Sequence, residues 1–318
     1  MDVSKVKYSV AIRTLGKAGE YYQRTLDSIA SQTLKPEAVV IYIAEGYDLP
    51  KETVGIEYYA YVPKGMVVQR ALQYEEIDSE WILFLDDDVF LPPDAVETLF
   101  RELEENCGDV IIPATFANHK ASWKQKIART LTGREVPRLF DDGWSYKVLR
   151  TAGFSYNNNP HKAVYKAQTA AGPCFLCRKK DFLNTHFEEE LWLDDAPYAY
   201  PEDQVMFNKM YLNGLKLLTS FDSGVVHLDA GSTMAGSEER MNKQIYSEYR
   251  NKTIFWRKFI YPNRPFKLLS MLAFGYMLSV QLVKYLALRL MGDEDRWQVF
   301  RKGLMEGKNY KNQWTSRG

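Results

Sequence analysis

Residues 81–88 read Trp81-Ile82-Leu83-Phe84-Leu85-Asp86-Asp87-Asp88. Five apolar residues bounded by acids predict a buried strand. Strands of α/β proteins end at crevices where ligands bind. Three adjacent carboxylates repel one another unless something positive lies between them. A divalent cation meets that need, because hard cations take carboxylate oxygens. One or two carboxylates, with water and phosphate completing the shell, suit a metal that carries a nucleotide phosphate. The plainer alternative is a solvated acidic turn ahead of Pro92-Pro93.

Working outward, Tyr8 to Ile12 and Val39 to Ile43 predict two further strands, and Glu57 to Tyr61 a shorter one. Helical spacing runs through Tyr21, Leu26 and Ile29. Lys64-Gly65 is read as opening a helix over about 66–77, and Pro93-Asp94 as opening one to Asn106. Val110 to Ile112 is another strand. Strands alternating with helices mean a mostly parallel sheet.

Residues 117–168 are less regular, and Gly153 to Lys162 reads as a mobile loop with three asparagines and a proline. Ala170 to Arg178 predicts a strand, Glu202-Asp203 opens a helix to about Asn213, and Leu215 to Thr219 and Gly224 to His227 are short strands. We read residues 1–232 as one domain, with a nucleotide-binding half over about 1–112 and an acceptor-side half over 113–232. Residues 233–318 form a basic, aromatic, helical C-terminal region.

A chain of 318 residues holds one large domain or two ordinary ones. Lys and Arg balance Asp and Glu at 41 each, which speaks against a nucleic-acid binder. Three cysteines give no disulfide framework and fit a reducing compartment. Cys174 and Cys177 form a lone CxxC, read as packing rather than as a zinc or redox site. No long apolar segment or cleavage site opens the chain, so no signal peptide is read.

Together these pieces resemble the family 2 glycosyltransferases, over roughly residues 7–232. Ile12-Arg13-Thr14 is similar to the end of that family's first strand, which more often carries Pro-Thr. Glu45 stands where the family usually has an Asp that contacts the nucleotide base. Gly65 and Arg70 match a glycine and, five residues on, an arginine. Asp86-Asp87-Asp88 with Pro93-Asp94 matches the DXD motif. Glu202-Asp203 matches the later ED motif, and His227 with Gly231-Ser232 resembles the histidine of the terminal strand.

The resemblance implies a GT-A fold for nucleotide-diphosphate sugars, with an α/β architecture, a mostly parallel central sheet and a helical tail. It implies an inverting transferase dependent on Mn2+ or Mg2+. Asp88 is the first metal ligand, with Asp86 reaching the metal or the ribose and His227 completing the shell. Imidazole suits Mn2+ better than Mg2+. Asp87 counts with the nucleotide-sugar residues, although strand alternation turns it to the opposite face. Arg13, Thr14, Glu45 and Arg70 line the nucleotide site, with Arg70 as a phosphate or base contact. Asp203 is the general base and Glu202 lies on the acceptor side. The alternative for both acids is a helix cap.

From Arg240 to Arg289 there are ten Lys and Arg residues and one acid, Glu248. Leu268 to Val283 is sixteen residues without a charge, between Lys267 and Lys284. A spanning helix needs roughly 20 apolar residues, and this run contains Ser270, Ser279 and Gln281. The expectation is an interfacial helix, with residues 250–289 on an anionic membrane surface. The alternatives are packing on the chain's own domain or on a second copy. The reading is a transferase on a glycan or lipid-linked acceptor, in surface polysaccharide or glycolipid synthesis, peripheral to the cytoplasmic face of the plasma membrane. Its rivals are a transferase with a protein or small-molecule acceptor, and a non-catalytic sugar-nucleotide binder.

Overall fold

The computed structural model describes residues 5–115, 122–228 and 237–311. The first strands are β1 (Tyr8–Thr14), β2 (Val39–Ala44), β3 (Glu57–Val62) and β4 (Trp81–Asp86), followed by the short β5 (Val89–Phe90) and β6 (Val110–Pro113). Next come β7 (Glu135–Arg138), β8 (Trp144–Val148), β9 (Phe154–Asn157), β10 (Val164–Ala167) and β11 (Cys174–Arg178). The last are β12 (Leu217–Ser220) and β13 (Val226–His227). Eleven of them form one mixed sheet in the order β3-β2-β1-β4-β11-β6-β12-β10-β8-β9-β7. From β3 to β4 the neighbours are parallel; β11 then enters antiparallel to both β4 and β6. The sheet's direction therefore changes beside the aspartates.

Both faces of the central strands are covered. Leu83 and Leu85 of β4 pack with Leu26 of α1 (Glu20–Ala30) and Leu99 of α2 (Ala95–Glu105). Ile82 and Phe84 point the other way, into a second core that the later helices complete. Burial on both faces is why β4 reads as a continuous apolar run rather than an alternating one. Cys174 and Cys177 fall into opposite cores, so the CxxC cannot bring its two thiols to one metal or one disulfide.

Two expected elements differ. Residues 66–77 form turns, not a helix. Asp194 accepts hydrogen bonds from the Val67 and Val68 amides, at 2.9 and 3.0 Å, and holds the segment in a tight bend. Gly65 permits this approach, since a Cβ there would meet Asp194 Oδ2 at 2.6 Å. The stretch read as a mobile loop contains β9, which pairs with β8 and β7. Phe154 and Tyr156 are strand formers hidden among turn residues. Earlier in the same irregular stretch, α3 (Trp123–Leu131) begins on a capping box between Ser122 and Gln125.

The remaining helices are α4 (Lys179–Leu183), α5 (Glu202–Leu212), α6 (Glu238–Phe255), α7 (Tyr261–Asn263), α8 (Lys267–Leu290) and α9 (Glu294–Asn309). A π-helical turn, Trp256–Ile260, links α6 to α7. Ile254, Phe255, Phe259, Phe274 and Met277 belong to the same core as Ile82 and Phe84, so the C-terminal helices complete the central fold.

That packing corrects the view of residues 250–289 as one cationic surface. Arg250, Lys252 and Lys258 are buried. Arg250 donates to the Trp192 carbonyl at 2.9 Å, and Lys252 pairs with Glu248 at 3.0 Å. Lys258 meets Glu190, a fully buried carboxylate that also pairs with Lys209 at 2.8 Å. A charge leaves water only with such partners, and charge counting along a sequence does not reveal them.

Candidate active site

Asp86 ends β4, and its Oδ1 accepts from Arg13 Nε at 2.8 Å and from Arg70 Nη2 at 3.1 Å. Arg13 lies beside it because β1 and β4 are parallel neighbours with Arg13 opposite Asp86. Burial pushes the Asp86 carboxyl up, but the two guanidinium groups outweigh it and hold it below the usual range. Burial likewise opposes the charge on Arg13, and Asp86 and Glu202 more than offset it.

Glu202 and Asp203 stand in the first turn of α5, yet neither side chain caps the helix. Glu202 is buried and accepts from Arg13 Nη1 at 2.8 Å. Asp203 takes Arg70 Nη1 on Oδ1 at 2.9 Å and the Gly172 amide on Oδ2 at 3.0 Å. Its side chain is still 34% exposed, so an acceptor hydroxyl can reach it. The capping alternative is thereby displaced: both acids turn to arginines from other segments.

Arg70 sits beneath the site rather than in it. It is 3% exposed. Its donors go to Asp203, to Asp86 and to the Gly172 carbonyl at 3.1 Å. With its donors so committed, the side chain organises carboxylates. Gly172 packs against this pair so closely that a Cβ would lie 2.4 Å from Asp203 Oδ1 and 2.8 Å from Arg70 Nη1.

Asp87 does point to the other side, where it accepts from Thr14 Oγ1. Thr14 Oγ1 also accepts from the Gly16 amide at 2.8 Å, so this buried side chain shapes the loop after β1. Burial, with help from Asp86 and Asp88 and against the Thr14 hydrogen bond, pushes the Asp87 carboxyl up to about 6.

Asp88 faces His227, with Oδ1 and Nε2 2.9 Å apart. The short pairing of β5 with β13 makes this meeting, because it sets His227 opposite Val89. Burial works against a charged His227, but the hydrogen bond and charge of Asp88, then Asp86 and Asp203, raise its pKa above the usual value. An imidazole and a carboxylate converging at a strand end fit a divalent cation whose other ligands are water and phosphate. Asp86 is turned to the guanidinium groups, and among the described residues no three metal-binding side chains converge. Gly231-Ser232, which accompany His227 in the sequence motif, lie outside the described residues.

Glu45 is exposed just past the end of β2. Two residues on, Tyr47 has Lys17 Nζ and Lys64 Nζ at 4.8 and 4.9 Å from its ring centre. These two cations escaped sequence reasoning, which used Lys64 only as a helix start. Asp194 and Gly172 carried no local signal either, since each acts on a partner more than 30 residues away in sequence.

A family description, Glycosyl transferase family 2, matches residues 9–183, more than half of the chain. Among solved structures, GalNAc-T7 crystallised with UDP, GalNAc and Mn2+ superposes with a TM-score of 0.50 at 14% identity, over 80% of this chain and 49% of that one. S. aureus TarS 1–349 superposes with a TM-score of 0.50 at 15% identity, over 95% of this chain and 81% of that one. The chain thus spans about half the length of the first and most of the second. These likenesses establish the GT-A fold. No curated protein sequence matches the chain. With Asp86 to Asp88 closing β4 inside the matched region, the chain belongs to glycosyl transferase family 2.

Proposed function

We propose that the chain is an inverting, metal-dependent glycosyltransferase that moves a sugar from a nucleotide diphosphate to a glycan or lipid-linked acceptor at a membrane surface. One observation carries the chemistry. Arg70 touches both Asp86 and Asp203, so the carboxylate at the donor end and the candidate base are held by one side chain.

Asp203 takes the proton of the acceptor hydroxyl as its oxygen bonds to the anomeric carbon. The bond from that carbon to the diphosphate breaks on the opposite face, and the diphosphate leaves with the electron pair. A single displacement inverts the anomeric centre, as it does when base and leaving group flank a sugar in inverting glycosidases. Asp88 and His227 would hold a divalent cation, which when bound supplies Lewis-acid stabilisation of the departing diphosphate. Glu45 contacts the heterocycle of the nucleotide, and Arg13, Thr14 and Asp87 set the shape of the donor site. Arg70 fixes the angle between donor and base.

The test is a panel of nucleotide sugars, each with and without Mn2+ or Mg2+, scored by thermal shift. A true donor raises the melting temperature by mass action, and more so with the metal. No shift for any nucleotide sugar under any condition would overturn the reading.

A further inference from the structure

Helix α8 is apolar on both of its faces, and only one of them is covered. Ser270, Phe274, Met277, Gln281 and Tyr285 form the inward stripe. Phe274 stacks on Trp256 with ring centres 4.4 Å apart. The two polar members are satisfied by the protein: Arg150 donates to Ser270 Oγ at 2.5 Å, and Tyr249 donates to Gln281 Oε1 at 2.6 Å. Two of the polar residues that make the run look poorly suited to lipid therefore face away from solvent.

The outward face carries Leu268, Leu269, Met271, Leu272, Tyr276 and Val283, each more than half exposed. No charge interrupts it between Lys267 and Lys284. Exposed contiguous apolar surface of this kind marks an interaction site. Three features select the occupant. The helix is long and apolar enough to cross a membrane by composition, but its inward stripe is bound to protein, and the uncharged run is only ~24 Å long. That is short of the roughly 30 Å hydrocarbon core, so the helix lies along the interface. There is no acid between Tyr249 and Gly292, while Lys267 and Lys284 border the patch and Arg289, farther on, pairs with Glu294 at 2.7 Å. Two copies packed face to face would bring like-charged rims together, because a two-fold interface uses the same patch twice. An anionic lipid surface pairs with that rim instead.

We propose that the outward face of α8, from Leu268 to Val283, lies in the interfacial layer of an anionic bilayer, with Lys267 and Lys284 among the headgroups. This rests on the membrane-surface reading above and is independent of the transfer chemistry. It moves the contact from the internal Lys258 to an apolar strip with a cationic border.

The test uses the full chain with vesicles of phosphatidylcholine mixed with phosphatidylglycerol, and of phosphatidylcholine alone. The wild type co-sediments with the anionic vesicles, less with the neutral ones, and partly loses binding at 1 M salt, where the Debye length falls to about 3 Å. Leu272→Glu with Val283→Glu lowers the partition coefficient by about 100-fold, since two apolar contacts become charged. Tyr58→Glu, an exposed change on the edge strand β3, leaves it unaltered. A second readout covers the case of a poorly folded variant. Val283→Cys in a Cys107→Ser background, labelled with an environment-sensitive fluorophore, shifts to the blue on anionic vesicles. If the wild type ignores both vesicles, the membrane reading and this inference fall together. If it binds while the double variant binds equally and the label stays in water, the inference alone falls. A dimer that the double variant dissociates, with no vesicle binding, also overturns it.

Discussion

At the scale of single residues, the site is a division of labour among carboxylates. Asp88, facing His227, is the one proposed to hold a cation. Asp88→Asn is expected to abolish the metal-dependent part of donor affinity while the chain still folds. The side chain is only 14% exposed, but an asparagine oxygen can still accept from His227, so that the lost charge costs about 1–2 kcal/mol. Calorimetric titration with and without Mn2+ checks this, and an unaltered metal effect rejects the assignment. Asp203→Asn is expected to keep donor affinity and lower kcat by about 10² to 10⁴. Near wild-type turnover would leave Asp203 as a partner for Arg70 and nothing more. Asp86, Asp88 and Asp203 were legible because each stands at the end of a patterned element. The depth of Arg70 was not: a helix was expected around it, and its partners come from β4, from α5 and from Gly172. Thr14 and Asp87 were each read as nucleotide-sugar residues, and their mutual hydrogen bond was not legible because it depends on strand pairing that only the fold supplies.

At the scale of elements, strands were easier to read than the long helices at the end. The buried strands β1, β2 and β4 appear close to their expected limits, because apolar runs of five or six residues have few alternative uses. The C-terminal helices posed a different problem, since basic and apolar residues there serve inward and outward faces at once. Gly303 and Gly307 show how α9 docks. A Cβ on Gly303 would lie 2.6 Å from the Tyr246 carbonyl oxygen, and one on Gly307 2.5 Å from that of Arg250. The two helices meet backbone to backbone along this small-residue stripe. Gly303→Val is therefore expected to destabilise the fold by about 1–3 kcal/mol through overpacking. An exposed helical glycine would behave oppositely, since any other common residue but proline favours the helix over Gly. Urea unfolding gives the sign, and a gain in stability would show that α9 is loosely seated.

At the scale of the whole molecule, the C-terminal helices share a hydrophobic core with the sheet and are joined to the rest of the chain by paired charges. Glu248 of α6 receives Arg134 at 3.1 Å, from the turn between α3 and β7, and Lys252 at 3.0 Å. Burial raises the Glu248 carboxyl, but Arg134 and Lys252 outweigh it and hold it below its ordinary 4.5. The sign follows from linkage: a group depressed in the folded state contributes stability above its unfolded value and loses it as pH falls through the folded value. The urea midpoint is expected to fall as pH drops below about 4.5, and Glu248→Gln should flatten that part of the profile while lowering stability at pH 7. An identical profile in the variant would show that Glu248 takes no part.

The close seating of Gly172 against Arg70 and Asp203 has a consequence for how such a sequence changes over generations. Three positions on three separate segments occupy one volume, and none has room to drift alone. A side chain at 172 displaces the carboxylate or the guanidinium, and loss of Arg70 leaves Asp203 without the counter-charge it meets at 2.9 Å. The three residues are thus sterically coupled. A genetic selection for active variants would recover changes among them only in combination, while neighbours a few residues away vary one at a time.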